Sequence, residues 1–231
     1  MKGLQNLAVA AALMLGTGAL QATPITIDLD FTGFADGYRT GTISSNGHNQ
    51  NVAAGMFSFD TSNAQGDSPL DWTGTLEAFC VQIDTMLQQS ATTTYNLMTA
   101  DNYFDNAGMV DQIGRLYTGF HTAVSGGLAS AAFQLALWEI VNESTASLDL
   151  TSGNFVTTGF NGARTTADAW LDGLADIDNA FTMYVLATDP TDRSQDLLVF
   201  TPKPPISVPE PGTLGLLGLG LAAMAWRRRR V

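Results

Sequence analysis

Cysteine is nearly absent from this chain: Cys80 is the only one in 231 residues. A single thiol excludes an internal disulfide, and a leftover cysteine in an exported chain points to intermolecular pairing or to a reactive role. Histidine is almost as scarce, with His48 and His121 alone, so a zinc centre of the usual type lacks ligands. Basic side chains are few. Between residues 23 and 207, five of them (Arg39, Arg115, Arg164, Arg193 and Lys203) stand against 21 of the 22 acids, a net charge of −16. Phosphate backbones are bound by basic stripes, so nucleic acid is not a partner. That acid balance fits solubility outside the cell and attraction to a cationic surface. No calcium loop of the Asp-x-Asp-x-Asp-Gly kind is present, and Asp168, Asp172 and Asp176 read as a solvated helix face. Neither a nucleophile elbow nor a phosphate loop occurs. No metal and no cofactor are expected.

Apolar runs of any length occur at the two ends. Residues 1–22 begin with Lys2, continue through apolar Leu7 to Leu15 and close on Leu20-Gln21-Ala22, the layout of a cleaved secretory signal peptide. At the other end Val208-Pro209-Glu210-Pro211-Gly212 precedes Thr213 to Trp226, which carries no charge, and then Arg227, Arg228, Arg229 and Arg230. Arginines after an apolar stretch place the C-terminus on the cytoplasmic side of a membrane. The stretch is shorter than the usual span of about 20 residues, which suits a transient anchor in the inner membrane. The order Pro-Glu-Pro, short apolar segment, basic cluster over 208–231 resembles the PEP-CTERM sorting tail. The resemblance implies an exosortase-type membrane protease as partner, export through the inner membrane, and a cell-surface or extracellular destination, in systems associated with exopolysaccharide and biofilm matrix.

Between the ends, residues 23–201 suit one domain, with a stiff proline-rich spacer at 202–207. Strand-like runs lie at Ile25–Phe31, Val52–Asp60 and Thr75–Ile83, with the turn-rich Ser44 to Asn49 separating the first two. A polar block from Gln88 to Thr94 leads into helical spacing, where Met109, Val110, Ile113, Leu116 and Tyr117 mark one buried face. A second helix carries Ala131 to Val141, and a third opens at Thr165 or Thr166 and runs through Trp170, Leu171 and Leu174. Late strands are read at Met183–Thr188 and Gln195–Thr201. Strands, then helices, then strands give an α+β class: an antiparallel sheet layer with a helical insertion that carries Gln134.

Gln134 is a lone amide in an apolar helix, on one stripe with Ser130, Leu137, Trp138 and Val141. Leu135, Glu139, Asn142 and Glu143 fall elsewhere, the polar ones marking the solvent side. An unpaired buried amide costs about 1–3 kcal/mol, so Gln134 needs a dedicated partner, either a backbone group or the Cys80 thiol. A thiol and a carboxamide in apolar surroundings are the ingredients of an internal thioester, formed by loss of ammonia and opened later by an amine. Phe79-Cys80-Val81 and Phe133-Gln134-Leu135-Ala136-Leu137-Trp138 resemble the two halves of surface thioester domains. Those adhesins often carry Thr where Phe133 stands and an acid where Gln82 stands. The resemblance implies a Cys80–Gln134 cross-link shielded by Phe79, Phe133 and Trp138, a mixed β and helical fold, and covalent attachment to amine-bearing surfaces. Such a protein reacts once and is no enzyme in the turnover sense. The alternative is a non-covalent exopolysaccharide matrix protein stacking sugars on Trp72 and Tyr38. A third reading pairs Cys80 with His121 as a thiol hydrolase.

Overall fold

The computed structural model describes residues 23–143, 147–189, 191 and 194–204. The expected signal peptide, the second half of the spacer (205–207) and the sorting tail, with Pro209, Glu210, Pro211 and Arg227 to Arg230, lie outside the described residues.

The strands in chain order are β1 (Thr26–Phe34), β2 (Arg39–Ser45), β3 (His48–Ala54), β4 (Phe57–Gln65), β5 (Thr75–Cys80), β6 (Thr93–Thr99), β7 (Phe155–Gly159), β8 (Phe181–Thr188) and β9 (Leu197–Pro202). The helices are α1 (Ala100–Phe104), α2 (Ala107–Phe120), α3 (Gly126–Asn142) and α4 (Ala163–Asp172). The α+β class holds and the ladders are antiparallel, but the expected sheet layer is two sheets. Six strands close into a barrel in the order β1-β4-β5-β9-β8-β6, and β3-β2-β7 form a separate sheet. Period-two alternation builds the barrel wall. Ile27 and Leu29 are buried, while the intervening Asp28 stays on the wall, accepting bonds from Thr94 of β6 at 2.6 Å and Asn63 of β4 at 2.8 Å. Those two bonds, Thr94 first, hold the Asp28 carboxyl below its ordinary range.

Several elements differ from the sequence reading, each for a local reason. The turn-rich stretch at 44–49 is a tight hairpin: Asn46 (φ 49°) and Gly47 (φ 81°) both take the left-handed conformation that two-residue turns demand, and β2 pairs with β3 around them. The run Val52–Asp60 is two strands in different sheets, parted at Gly55 and Met56. The polar block before residue 95 opens β6 rather than a helix, because Thr93 and Tyr95 point inward on alternate positions. β7 has only Phe155 and Thr157 facing inward, too short a period to read. α4 starts earlier, after Gly162 (φ 91°), with no side-chain cap from Thr165 or Thr166.

α3 positions the site. It packs against α2, α4 and the β2, β3 and β7 strands of the second sheet, and Ser130 to Ile140 are buried without interruption. A helix apolar on every side belongs in the centre of a structure. Glu139 is therefore 0% exposed, contrary to the solvent side expected for it. The chain leaves β3 for β4 alongside this helix, and Gly55 makes the passage possible. A Cβ there would sit 2.7 Å from the Gly37 carbonyl oxygen and 3.2 Å from Ser130 Oγ. Gly55→Ala is expected to destabilise the domain by about 1–3 kcal/mol, the usual cost of overpacking. Urea denaturation of the purified domain measures it; an unchanged midpoint would show that the two sheets can move apart freely.

Candidate functional site

β4 and β5 run together only as far as Phe57 opposite Ala78. Beyond that point β4 has turned away toward the second sheet, and β5 continues to Cys80 with one edge lacking a strand. On its other edge β5 stays paired with β9, Phe79 opposite Leu198 and Cys80 opposite Leu197, and Val81 N–H donates to the Asp196 carbonyl at 3.0 Å. The bare edge is closed by a side chain. Cys80 N–H donates to Gln134 Oε1 at 2.9 Å, and Gln134 Nε2 donates to the Cys80 carbonyl at 2.8 Å. One turn earlier on α3, Ser130 Oγ accepts Met56 N–H at 2.7 Å, at the point where β4 departs. Residues four apart share a helix face, so Ser130 and Gln134 together take the place of the missing strand. The Gln134 carboxamide acts as a surrogate peptide group. Of the two partners the sequence offered for it, the backbone group is the one it bonds, and that backbone belongs to Cys80; the thiol itself bonds Gln195.

The thiol points to the barrel's inner face, on the side of Leu197. It is 2% exposed and donates to Gln195 Oε1 at 3.0 Å. Burial pushes the Cys80 thiol far up, so it rests as S–H. Gln195 is itself held at two points: Nε2 donates to the Gln82 carbonyl at 3.0 Å, and its carbonyl accepts Tyr95 Oη–H at 3.2 Å. Burial pushes the Tyr95 hydroxyl up to about 12. Next to it, the Asp196 carboxylate accepts Tyr103 Oη–H at 2.7 Å, Gln82 Nε2 at 3.0 Å and Thr188 N–H at 2.9 Å. Burial, then the Asp196 carboxylate, raise the Tyr103 hydroxyl as well. This network ties β6, α1 and the start of β9 to the end of β5. None of its members except Gln82 carried a signal in the sequence. The triplet Ser194-Gln195-Asp196 looks like ordinary polar chain at a strand start, and only its pairing with β5 reveals it.

The expected shield divides. Phe79 and Phe133 stack at 4.3 Å between β5 and α3, both buried, directly beside the Cys80–Gln134 contact. Trp138, one turn past Gln134, packs edge-on to Phe155 of the second sheet at 6.5 Å, and its Nε1 is buried without a partner. His121 does not bond the thiol. Its Nδ1 lies 2.7 Å from the Tyr117 carbonyl oxygen and its ring stacks on Tyr117 at 4.6 Å, so the Cys80–His121 pair required for a thiol hydrolase is not formed. His48 stands exposed at the start of β3. Of the two aromatics considered for sugar stacking, Tyr38 is 48% exposed against Phe34, whereas the indole N–H of Trp72 is buried without a partner. Asp168, rather than only facing solvent, accepts Leu150 N–H at 3.3 Å. Among the described residues no group of three or more His, Cys, Asp or Glu side chains is arranged to hold a metal ion.

A cavity of about 420 Å³ opens just past Cys80, bounded by Gln82, Asp84, Tyr103, Gln50 and Asn142. A larger one of about 660 Å³ lies where β5 and β9 part, beside Leu76, Glu77, Phe79 and Phe200.

Residues 207–230 match the model of the PEP-CTERM protein-sorting motif. The motif marks the chain for export, processing by an exosortase, a membrane protease, and delivery to the cell surface or beyond it. No curated protein and no solved structure matches the chain.

Two expected outcomes follow from this geometry. Gln134→Met keeps the side-chain volume but strands a buried N–H and a buried C=O of Cys80, which should cost about 2–6 kcal/mol at about 1–3 kcal/mol per group; chemical denaturation reads the loss, and a near-neutral effect would mean that water reaches the strand edge. Glu139 supplies the second. Its Oε1 accepts Asp149 N–H at 2.7 Å and its Oε2 has no partner. Burial first, then the neighbouring acids Glu143, Asp149 and Asp168, raise its carboxyl from 4.5 to about 7. The folded state thus holds this proton more tightly than the unfolded state, and stability from Glu139 is lost as pH rises from about 4.5 to about 7. Glu139→Gln, measured by denaturation at about pH 4 and about pH 8, on either side of that window, should gain on the wild type only at the higher pH.

Proposed function

We propose that the exported domain closes an internal thioester between Cys80 and Gln134 and spends it once, on an amine displayed by a neighbouring surface. The observation that carries this reading is the docking of the Gln134 carboxamide on the backbone of the very residue that bears the thiol. Two partners held in register replace a bimolecular encounter with an intramolecular one.

The hydrogen bonds already have the polarity that the reaction needs. Cys80 N–H sits 2.9 Å from Gln134 Oε1, the oxygen on which negative charge grows when sulfur adds to the carbonyl carbon. Gln134 Nε2 is the leaving nitrogen, held against the Cys80 carbonyl. The Cys80 sulfur attacks Gln134 Cδ, the C–N bond breaks, and the thiol proton departs with the nitrogen as ammonia. A primary amine later adds to the same carbon, the C–S bond breaks, and the sulfur recovers a proton as a stable amide forms. The stacked Phe79 and Phe133 keep bulk water from the bond in the meantime. A thiol resting as S–H makes closure slow, which a reaction performed once per molecule tolerates. The acidic balance of residues 23–207 draws cationic, amine-bearing surfaces toward the domain.

The intact mass of the exported chain, purified without reductant or amines, decides the matter. The expected value is one ammonia below the sequence mass, with the deficit absent in Cys80→Ala and Gln134→Ala. Cys80 should then resist alkylation until methylamine is added. A full mass with a freely titrating thiol would leave Gln134 as a backbone clamp alone and return the domain to non-covalent matrix binding, with Tyr38 as its exposed aromatic.

A further inference from the structure

The thiol of Cys80 does not hydrogen-bond the carboxamide it would attack; it bonds a different one, and that contact has an orientation fixed by its surroundings. The Gln82 carbonyl can only accept, so the Gln195 nitrogen, 3.0 Å away, must face it. The Gln195 oxygen is thereby turned to Cys80, and at 3.0 Å it can only accept from S–H. Gln195 cannot rotate out of this arrangement easily. Its own carbonyl takes the Tyr95 hydroxyl at 3.2 Å, and the next residue, Asp196, is fixed by Tyr103, Gln82 and Thr188. Gln195 is buried at 9% exposure, so water does not compete for the thiol proton.

We infer that Gln195 is the thiol-orienting residue of the Cys80–Gln134 reaction: by taking the S–H hydrogen it turns the sulfur lone pairs, rather than the proton, toward Gln134 Cδ. The inference rests on the thioester reading and adds a component to it that no motif in the sequence marks. Gln195 neither gains nor loses atoms. The hydrogen it holds passes to the departing nitrogen, ammonia leaves, and the Gln195 carboxamide is unchanged at the end. After closure the Gln195 oxygen has no donor on sulfur, and it regains one when an amine opens the bond.

The test starts from the full chain purified unreacted in denaturant and refolded in amine-free buffer, with ammonia loss followed by intact mass. Gln195→Met, which keeps the volume and removes the acceptor, should close the bond about tenfold more slowly than the wild type, equivalent to ~1.4 kcal/mol on the barrier. Gln195→Glu restores an acceptor at the same place and should recover the rate, with a new dependence on pH as the introduced carboxyl ionises. Neither the recovery nor the new pH dependence is expected of a side chain that only fills space. Isotope-labelled methylamine should be recovered on Gln134. Closure by Gln195→Met at the wild-type rate overturns the inference and leaves the thioester standing. Label recovered on residue 195 overturns it too, since Gln195 would then be the acyl donor. A wild type that never loses ammonia removes the thioester and the orienting role together.

Discussion

Where β4 turns away from β5, one residue of a central barrel strand is left with a buried N–H and a buried C=O facing no strand, and the Gln134 carboxamide answers both. Much of the architecture follows from that substitution of a side chain for a strand. The carboxamide can reach the gap only if α3 runs close along it, so α3 is covered on all sides and its residues from Ser130 to Ile140 are buried. The strand that left must pass the same helix, which is why Ser130 receives Met56 N–H and why Gly55 has no room for a Cβ. This is also the point where the chain, having left the barrel after β1 to build β2 and β3 of the second sheet, returns to it as β4.

The structural and chemical roles of Gln134 are therefore two readings of one geometry. As a clamp, the amide oxygen accepts from Cys80 N–H and the amide nitrogen donates to Cys80 C=O. As the acyl donor of the proposed reaction, it would use the first bond to stabilise the developing oxyanion and lose the second with the nitrogen. Closing the proposed thioester would thus leave the Cys80 carbonyl without its donor, at a cost of about 1–3 kcal/mol. Loss of ammonia to bulk solvent would drive the closure against that cost, and opening by an amine would return an N–H to the same carbon. In that scheme the reacted form regains what the poised form gave up, and the cross-linked adduct would have a folding advantage over the waiting state.

The sequence was most legible where period and composition act locally. The buried face of α2, the apolar α3 with its single glutamine, and the barrel strands β5 and β8 all announce themselves. It was least legible where a contact across the chain decides the outcome. Glu139 looks solvent-facing on a helical wheel, and it is the segment around Asp149, with Asp168 of α4, that lies over its carboxyl. The break between β3 and β4 follows from Gly55 meeting Gly37 and Ser130, neither near it in sequence. At the site, Cys80 and Gln134 were readable as a pair because one is the lone thiol of the chain and the other the lone amide of its apolar run. Gln195 and Asp196 were not, because their roles come from pairing β9 with β5, more than a hundred residues earlier. Gln82 is instructive. Its amide binds the Asp196 carboxylate, so an acid reaches the residue two past Cys80 from another segment of the chain.

Export gives the single cysteine its meaning. A chain sorted through a PEP-CTERM tail passes through an oxidising compartment, where paired cysteines become disulfides and an exposed odd one is captured by another thiol. Cys80 escapes that fate by position. It is 2% exposed, rests as S–H because burial opposes the thiolate, and faces a neutral carboxamide instead of a base. Intermolecular pairing, one of the two meanings a leftover cysteine can have, is closed to it in the folded state. Oxidants attack thiolates, whereas acyl transfer inside a docked pair draws on proximity and on the Cys80 N–H instead of a lowered pKa. The same burial that silences this thiol toward solution chemistry would, in the proposed reaction, leave the Gln134 carboxamide as its accessible electrophile.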